Sequence, residues 1–172
     1  MLILGKALGN GYAINAILGK NKIMNAANKT FISSTFWTER IGYAAALACI
    51  EEMEKKKVFK KVKEIGIYIK KRWREISKKQ NIVIEVNGID PIPVFNFENK
   101  INREASTFLT QEMLKKKILA TNCIYVSLAH KKKYVDLYLK ELDKIFFNIS
   151  KNKNDLKKII NGPLKQKSLN RV

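Results

Sequence analysis

The chain predicts an α/β fold. Apolar residues recur at three- and four-residue spacing in several windows, short alternating runs stand between those windows, and glycine- or proline-bearing turns mark the joins. The clearest helix is the window 58–76, where Val58, Val62, Ile65, Ile69, Trp73 and Ile76 form one stripe while lysines, Arg72 and Arg74 take the opposite side. A stripe of that width buries one face and leaves the other in water.

The remaining elements follow the same logic. Residues 1–4 are a short apolar run that suits a buried strand, and residues 13–18 are a second, with the turn Gly9-Asn10-Gly11 between them. Residues 20–27 read as a short helix and residues 30–38, rich in serine and threonine, as an irregular loop. From Glu39 onward Ile41, Ala45, Ala48, Cys49 and Met53 recur at helical spacing. The small residues Ala44, Ala45, Ala46 and Ala48 permit close packing, so a buried helix is expected there. After the long helix, 82–86 and 94–97 alternate as strands on either side of Asn87-Gly88, Pro91 and Pro93. Window 103–117 returns to helical spacing through Phe108, Leu109, Met113 and Leu114, and 123–128 reads as a third short strand. Residues 134–149 place Val135, Leu139, Leu142, Ile145, Phe146 and Ile149 on one helical face. Residues 150–154 read as a solvated linker and 155–172 as a tail broken at Gly162-Pro163.

Composition removes several classes of function. No apolar run approaches the ~18 residues that a membrane span needs, so no membrane partner is expected. The start lacks a basic segment followed by an apolar stretch and a small-residue cleavage site, which leaves a cytoplasmic location as the expectation. The net charge of +19 raises polyanions as partners, but the basic runs at 55–57, 60–61, 70–72, 78–79, 115–117 and 131–133 fall on several separate helices. They read as solvated faces. Without interleaved aromatics, zinc-finger spacing or a helix-turn-helix pattern, no specific nucleic-acid binding is expected, only salt-sensitive adhesion to polyanions. Cys49 and Cys123 stand far apart without CxxC spacing, which reads as reduced, mostly buried thiols and no metal site.

Four positions could carry chemistry. Lys6 follows an apolar run and precedes the glycine turn, a place where a side chain at a strand's end projects into the crevice of an α/β sheet. A lysine that bonds an aldehyde needs an unprotonated amine, and burial favours that form. A lysine beside glycines is also an ordinary surface residue. The hydroxyls of Ser33-Ser34-Thr35 suit a phosphate dianion and equally suit a helix cap. His130 follows the third strand pattern, where a structural role is the simpler reading. Glu39 and Arg40 precede a helix and suggest an ion pair at its start.

Two stretches, LGKALGNGY at 4–12 and SSTFWTERIG at 33–42, resemble the cofactor-lysine region of the class III pyridoxal-phosphate aminotransferases, closest to the glutamate-1-semialdehyde aminomutase-like branch. Ser127-Leu128-Ala129-His130, Asn161-Gly162-Pro163 and Arg171 extend the resemblance toward the end of the chain. It departs where relatives carry proline and this chain has Ala13 and Tyr43, and where they close with Gly-Phe and it has Ser168-Leu169.

The resemblance implies the carboxy-terminal part of a fold-type-I transferase, with residues 1–57 a remnant of the large cofactor-binding domain and 58–172 a small α/β domain. It implies pyridoxal 5'-phosphate as cofactor, with Lys6 both holding its aldehyde carbon and moving the substrate proton. Ser34 and Thr35 are placed at the cofactor phosphate, and for Thr35 that phosphate belongs to the neighbouring subunit of a homodimer. The implied partners are a small-molecule amino donor and a keto or aldehyde acceptor. The implied activity is aminotransfer or an aminomutase-type 1,2-shift. The family's aspartate for the pyridine nitrogen, its ring-stacking aromatic and its own-subunit phosphate turn precede the lysine, whereas here five residues do. The chain alone is therefore expected to be incomplete. The alternative is an inactive remnant, or a dimerisation or complementation partner of a separately encoded amino-terminal half.

Overall fold

A computed structural model describes residues 1–36 and 38–166, so Ser168, Leu169 and Arg171 lie outside the described residues. The chain divides into two compact units, Met1–Val58 and Phe59–Val172.

In the first unit β1 (Leu2–Leu4) pairs antiparallel with β2 (Ala16–Leu18), Leu2 opposite Leu18 and Ile3 opposite Ile17. Successive residues of a strand point to opposite faces, so one pair lies on each face. All four side chains are more than half exposed. The strands form where the apolar runs predict them, but the expected burial is absent. A ribbon that is apolar on both faces is the pattern of a strand pair made for the interior of a layered sheet. Next come α1 (Asn21–Met24), a 3-10 turn Asn25–Lys29 and the irregular segment 30–36.

Helix α2 (Ile41–Lys55) also departs from expectation. Only Gly42 and Ala46 are buried, Ala45 and Cys49 are half-buried, and Ile41, Tyr43, Leu47, Ile50 and Met53 are exposed. The helix is apolar around most of its circumference, so periodicity alone does not say which side has a neighbour. Its start is not held by the expected ion pair. Glu39 instead accepts the Ile41 N–H at 2.8 Å, and no Glu39–Arg40 bridge occurs among the described residues.

The second unit holds the apolar core. Helix α3 (Val58–Lys79) buries Val62, Gly66, Ile69, Trp73 and Ile76, close to the predicted stripe. Its polar side is less uniform than expected. Lys70 is only 13% exposed and donates to Gly88 O at 2.6 Å and Asp90 Oδ1 at 3.1 Å. Arg72 is half-buried, with Nη1 at 2.5 Å from Glu75 Oε2.

Strands β3 (Ile84–Asn87) and β4 (Val94–Phe97) pair antiparallel, with Ile84 opposite Phe97 and Val86 opposite Phe95. The expected third strand is only partly realised. The segment lies against β4 in antiparallel order, with Phe95 N–H on Asn122 O, Ile124 N–H on Pro93 O and Val126 N–H on Pro91 O, yet the only formal pairing is an isolated bridge between Val94 and Cys123. Proline explains the deficit. Pro91 and Pro93 cannot return the hydrogen bonds they receive, so half of each pair is missing. At the third pair the Asn122 side chain replaces its backbone, donating to Phe95 O at 2.9 Å.

Helices α4 (Asn102–Lys115) and α5 (Lys132–Lys151) cover this small sheet. Helix α5 buries all six predicted side chains together with Tyr138. Trp73 and Phe95 meet edge-on at 4.7 Å between centroids, Phe95 and Phe146 at 5.8 Å, an arrangement that aromatic quadrupoles favour. Buried Trp73 donates its indole N–H to Tyr138 Oη at 3.1 Å. The tail is docked as far as Lys165. Helix α6 (Leu156–Ile159) buries Leu156, Gln111 Oε1 accepts the Asn161 N–H at 2.7 Å, and Thr107 Oγ1 accepts the Lys165 N–H at 3.0 Å. No helix among the described residues is long and apolar enough to cross a membrane. No group of acidic, histidine and cysteine side chains among them could hold a metal ion.

Candidate active site

Lys6 opens a 3-10 turn, Lys6–Leu8, directly after β1. Its φ is +50°, Asn10 follows at +46° and Gly11 at +109°, so three residues in one loop occupy the left-handed region. For lysine that conformation costs about 1–2 kcal/mol and persists only where surroundings enforce it. The loop closes on itself through Leu8 N–H to Gly5 O at 3.1 Å, Asn10 N–H to Lys6 O at 3.2 Å and Tyr12 N–H to Gly9 O at 3.1 Å. Helix α2 approaches closely behind it. A Cβ on Gly42 would stand 2.6 Å from Ala13 O, and the Cys49 thiol donates to Ala7 O at 3.0 Å. The Cys49 contact spans 42 residues of sequence and had no local signal.

The result is an exposed Lys6 above an open hollow lined by Ala7, Asn10, Gly11, Tyr12 and Ala13. The crevice expected around Lys6 is not formed by the described residues, because the ribbon beside it has no second layer. Ser34 and Thr35 are exposed as well. Ser34 Oγ accepts the Phe36 N–H at a long 3.4 Å, a weak local turn that leaves the hydroxyl able to serve elsewhere. Ser34 borders a second hollow with Ile14, Asn15, Phe36, Glu39 and Tyr43. The two hollows meet at Ala13 without merging, so the fold does not bring Lys6 and Ser34-Thr35 into one cavity.

His130 lies in the second unit. Its Nδ1 accepts the Ser127 N–H at 3.1 Å, which assigns the ring proton of the neutral form to Nε2 and gives His130 a turn-capping role. Cys123 is half-buried, and burial pushes its thiol pKa up while Lys165 pulls the other way. A protonated thiol there is no nucleophile.

These residues fit part of pyridoxal phosphate. An amine on an open turn suits the aldehyde, and two exposed hydroxyls suit a phosphate. No aspartate occurs in residues 1–58, and Glu39 is engaged at the start of α2, so this unit has no candidate for the pyridine nitrogen near the loop.

The family model for aminotransferase class III matches residues 1–142. The acetylornithine aminotransferase of Methanocaldococcus jannaschii is 29% identical over 158 residues, 88% of this chain and 38% of that protein. A glutamate-1-semialdehyde 2,1-aminomutase of Saccharolobus islandicus is 24% identical over 161 residues, 86% of this chain and 38% of its own length. Among solved structures, the PLP internal aldimine form of the Sphingopyxis sp. MTA144 FumI protein matches at TM-score 0.80 and 21% identity, over 89% of this chain and 37% of that one. That match bears out the expected fold class. The chain belongs to the class III aminotransferase family, and it spans less than two-fifths of the length of these relatives.

Proposed function

We propose that the chain is the lysine-bearing carboxy-terminal part of a pyridoxal-phosphate-dependent enzyme that transfers an amino group. In this reading residues 1–57 belong to the large cofactor domain and residues 58–172 form the small domain. Pyridoxal phosphate, when bound, supplies an aldehyde that takes up an amino group and a ring that accepts electrons from the substrate carbon. Lys6 is the residue that would hold the aldehyde carbon, and its amine is the group that would move the proton at the substrate carbon. Ser34 and Thr35 would donate to the phosphate, Thr35 across the interface of a homodimer. The substrates are a small amino donor and a keto or aldehyde acceptor, or a single molecule in a 1,2-amino shift, in the cytoplasm.

One observation carries this reading: the left-handed turn that presents Lys6 free of any salt bridge among the described residues, in a chain of this family. The exposed faces of β1, β2 and α2 favour its second part, that the chain works only with a polypeptide supplying the rest of the fold. Co-expression with such a polypeptide from the same family, followed by an amino-group exchange assay, tests both. Exchange by the pair, absent for the 172-residue chain alone and abolished by Lys6→Ala, is expected. Thr35→Ala is expected to weaken cofactor retention. Exchange that survives Lys6→Ala contradicts the reading.

A further inference from the structure

We propose that Cys49 is a positioning residue for Lys6, its thiol holding the left-handed turn from which the lysine projects. The proposal rests on the reading of Lys6 as the cofactor lysine. A short helix leaves its last carbonyls without partners. In the Lys6 turn the carbonyl of Gly5 accepts from Leu8 and that of Lys6 from Asn10, while Ala7 O receives no backbone donor among the described residues. Cys49 supplies that donor at 3.0 Å. The bond is anchored by the helix that carries it. Gly42, Ala46 and Cys49 stand at i, i+4 and i+7, one face of α2, and the first of them abuts Ala13 O. The same face therefore fixes both ends of the loop 7–13, and residue 6 immediately precedes the fixed carbonyl. A lysine at φ +50° would relax toward the right-handed region without such a hold.

The predicted behaviour separates positioning from mere packing. In the protein reassembled with the rest of the fold, Cys49→Ala should speed amide exchange at Leu8, Asn10 and Tyr12 by about twofold, the lower end for one hydrogen bond because a thiol is a weak donor. The second unit's amides should not respond. The share of pyridoxal-phosphate label that borohydride fixes on Lys6 should fall in parallel, and the pH dependence of that labelling should move. Cys49→Ser keeps a donor and should restore most of both, whereas Cys49→Val fills space without donating and should not. Lys6 labelling indifferent to Cys49→Ala, or rescue by Val equal to that by Ser, would overturn this proposal alone. No label on Lys6 in the unsubstituted protein would overturn the reading of Lys6 and the proposal with it.

Discussion

Gly66 on α3 rests directly on the backbone carbonyl of Asp90, so closely that a Cβ at position 66 would lie 1.6 Å from that oxygen. Lys70, one helical turn on, ties the same loop through Gly88 O and Asp90 Oδ1. The turn between β3 and β4 is thus clamped to α3 at two points. Gly66→Ala should destabilise the second unit by about 3 kcal/mol, the upper end of overpacking costs, because the obstacle is backbone and cannot swing away. Urea unfolding followed by circular dichroism measures it; an unchanged midpoint would mean that the helix and loop are not in contact.

Asp143 gives the fold a pH dependence. Burial raises its pKa, but hydrogen bonds from Lys79 Nζ at 2.5 Å and Gln80 Nε2 at 2.6 Å, with the charges of Lys79 and Arg72, outweigh burial and hold the carboxyl below its ordinary value. A depressed folded pKa contributes stability that is complete above the unfolded value of about 4 and is lost as pH falls through the folded one. Asp143→Asn should therefore lower stability at pH 7, with the gap to the unsubstituted protein narrowing below about pH 4. A gap that stays constant with pH would show that the loss is one of packing.

The two units should differ in resistance to protease. The second unit has a core built on Trp73, Phe95, Leu142 and Phe146, whereas among the described residues of the first the only buried apolar side chain is that of Ala46. Limited proteolysis of the chain alone should cut first within residues 1–57 and leave a fragment beginning near Phe59. Survival of the amino-terminal part in preference would reverse the assignment of stability.

Much of the second unit was legible in the sequence because α3 and α5 each turn one face to the core and so carry a single apolar stripe. The six buried side chains of α5 were all readable from spacing. Helix α2 was not, since an apolar pattern reports how a segment could be buried and not whether a layer is there to bury it. The third strand failed for a local reason, the prolines at 91 and 93, whose missing N–H groups removed one bond from each of two of its three pairs. Lys6 and Ser34-Thr35 stood out through family motifs, while the features that shape the lysine's surroundings did not. Nothing in the neighbouring residues signals a φ of +50° at a lysine, and the bond from Cys49 to Ala7 joins residues brought together only by the fold.

The most direct measurement is the site of covalent labelling. The chain alone should take up pyridoxal phosphate weakly, without strong preference among its lysines, since the unit that carries Lys6 supplies an amine and hydroxyls but contains no aspartate for the ring nitrogen. Reassembled with the rest of the fold, treated with borohydride and mapped by peptide mass, it should carry the pyridoxyl label on Lys6. Predominant labelling of another lysine in the reassembled, active protein would contradict the assignment.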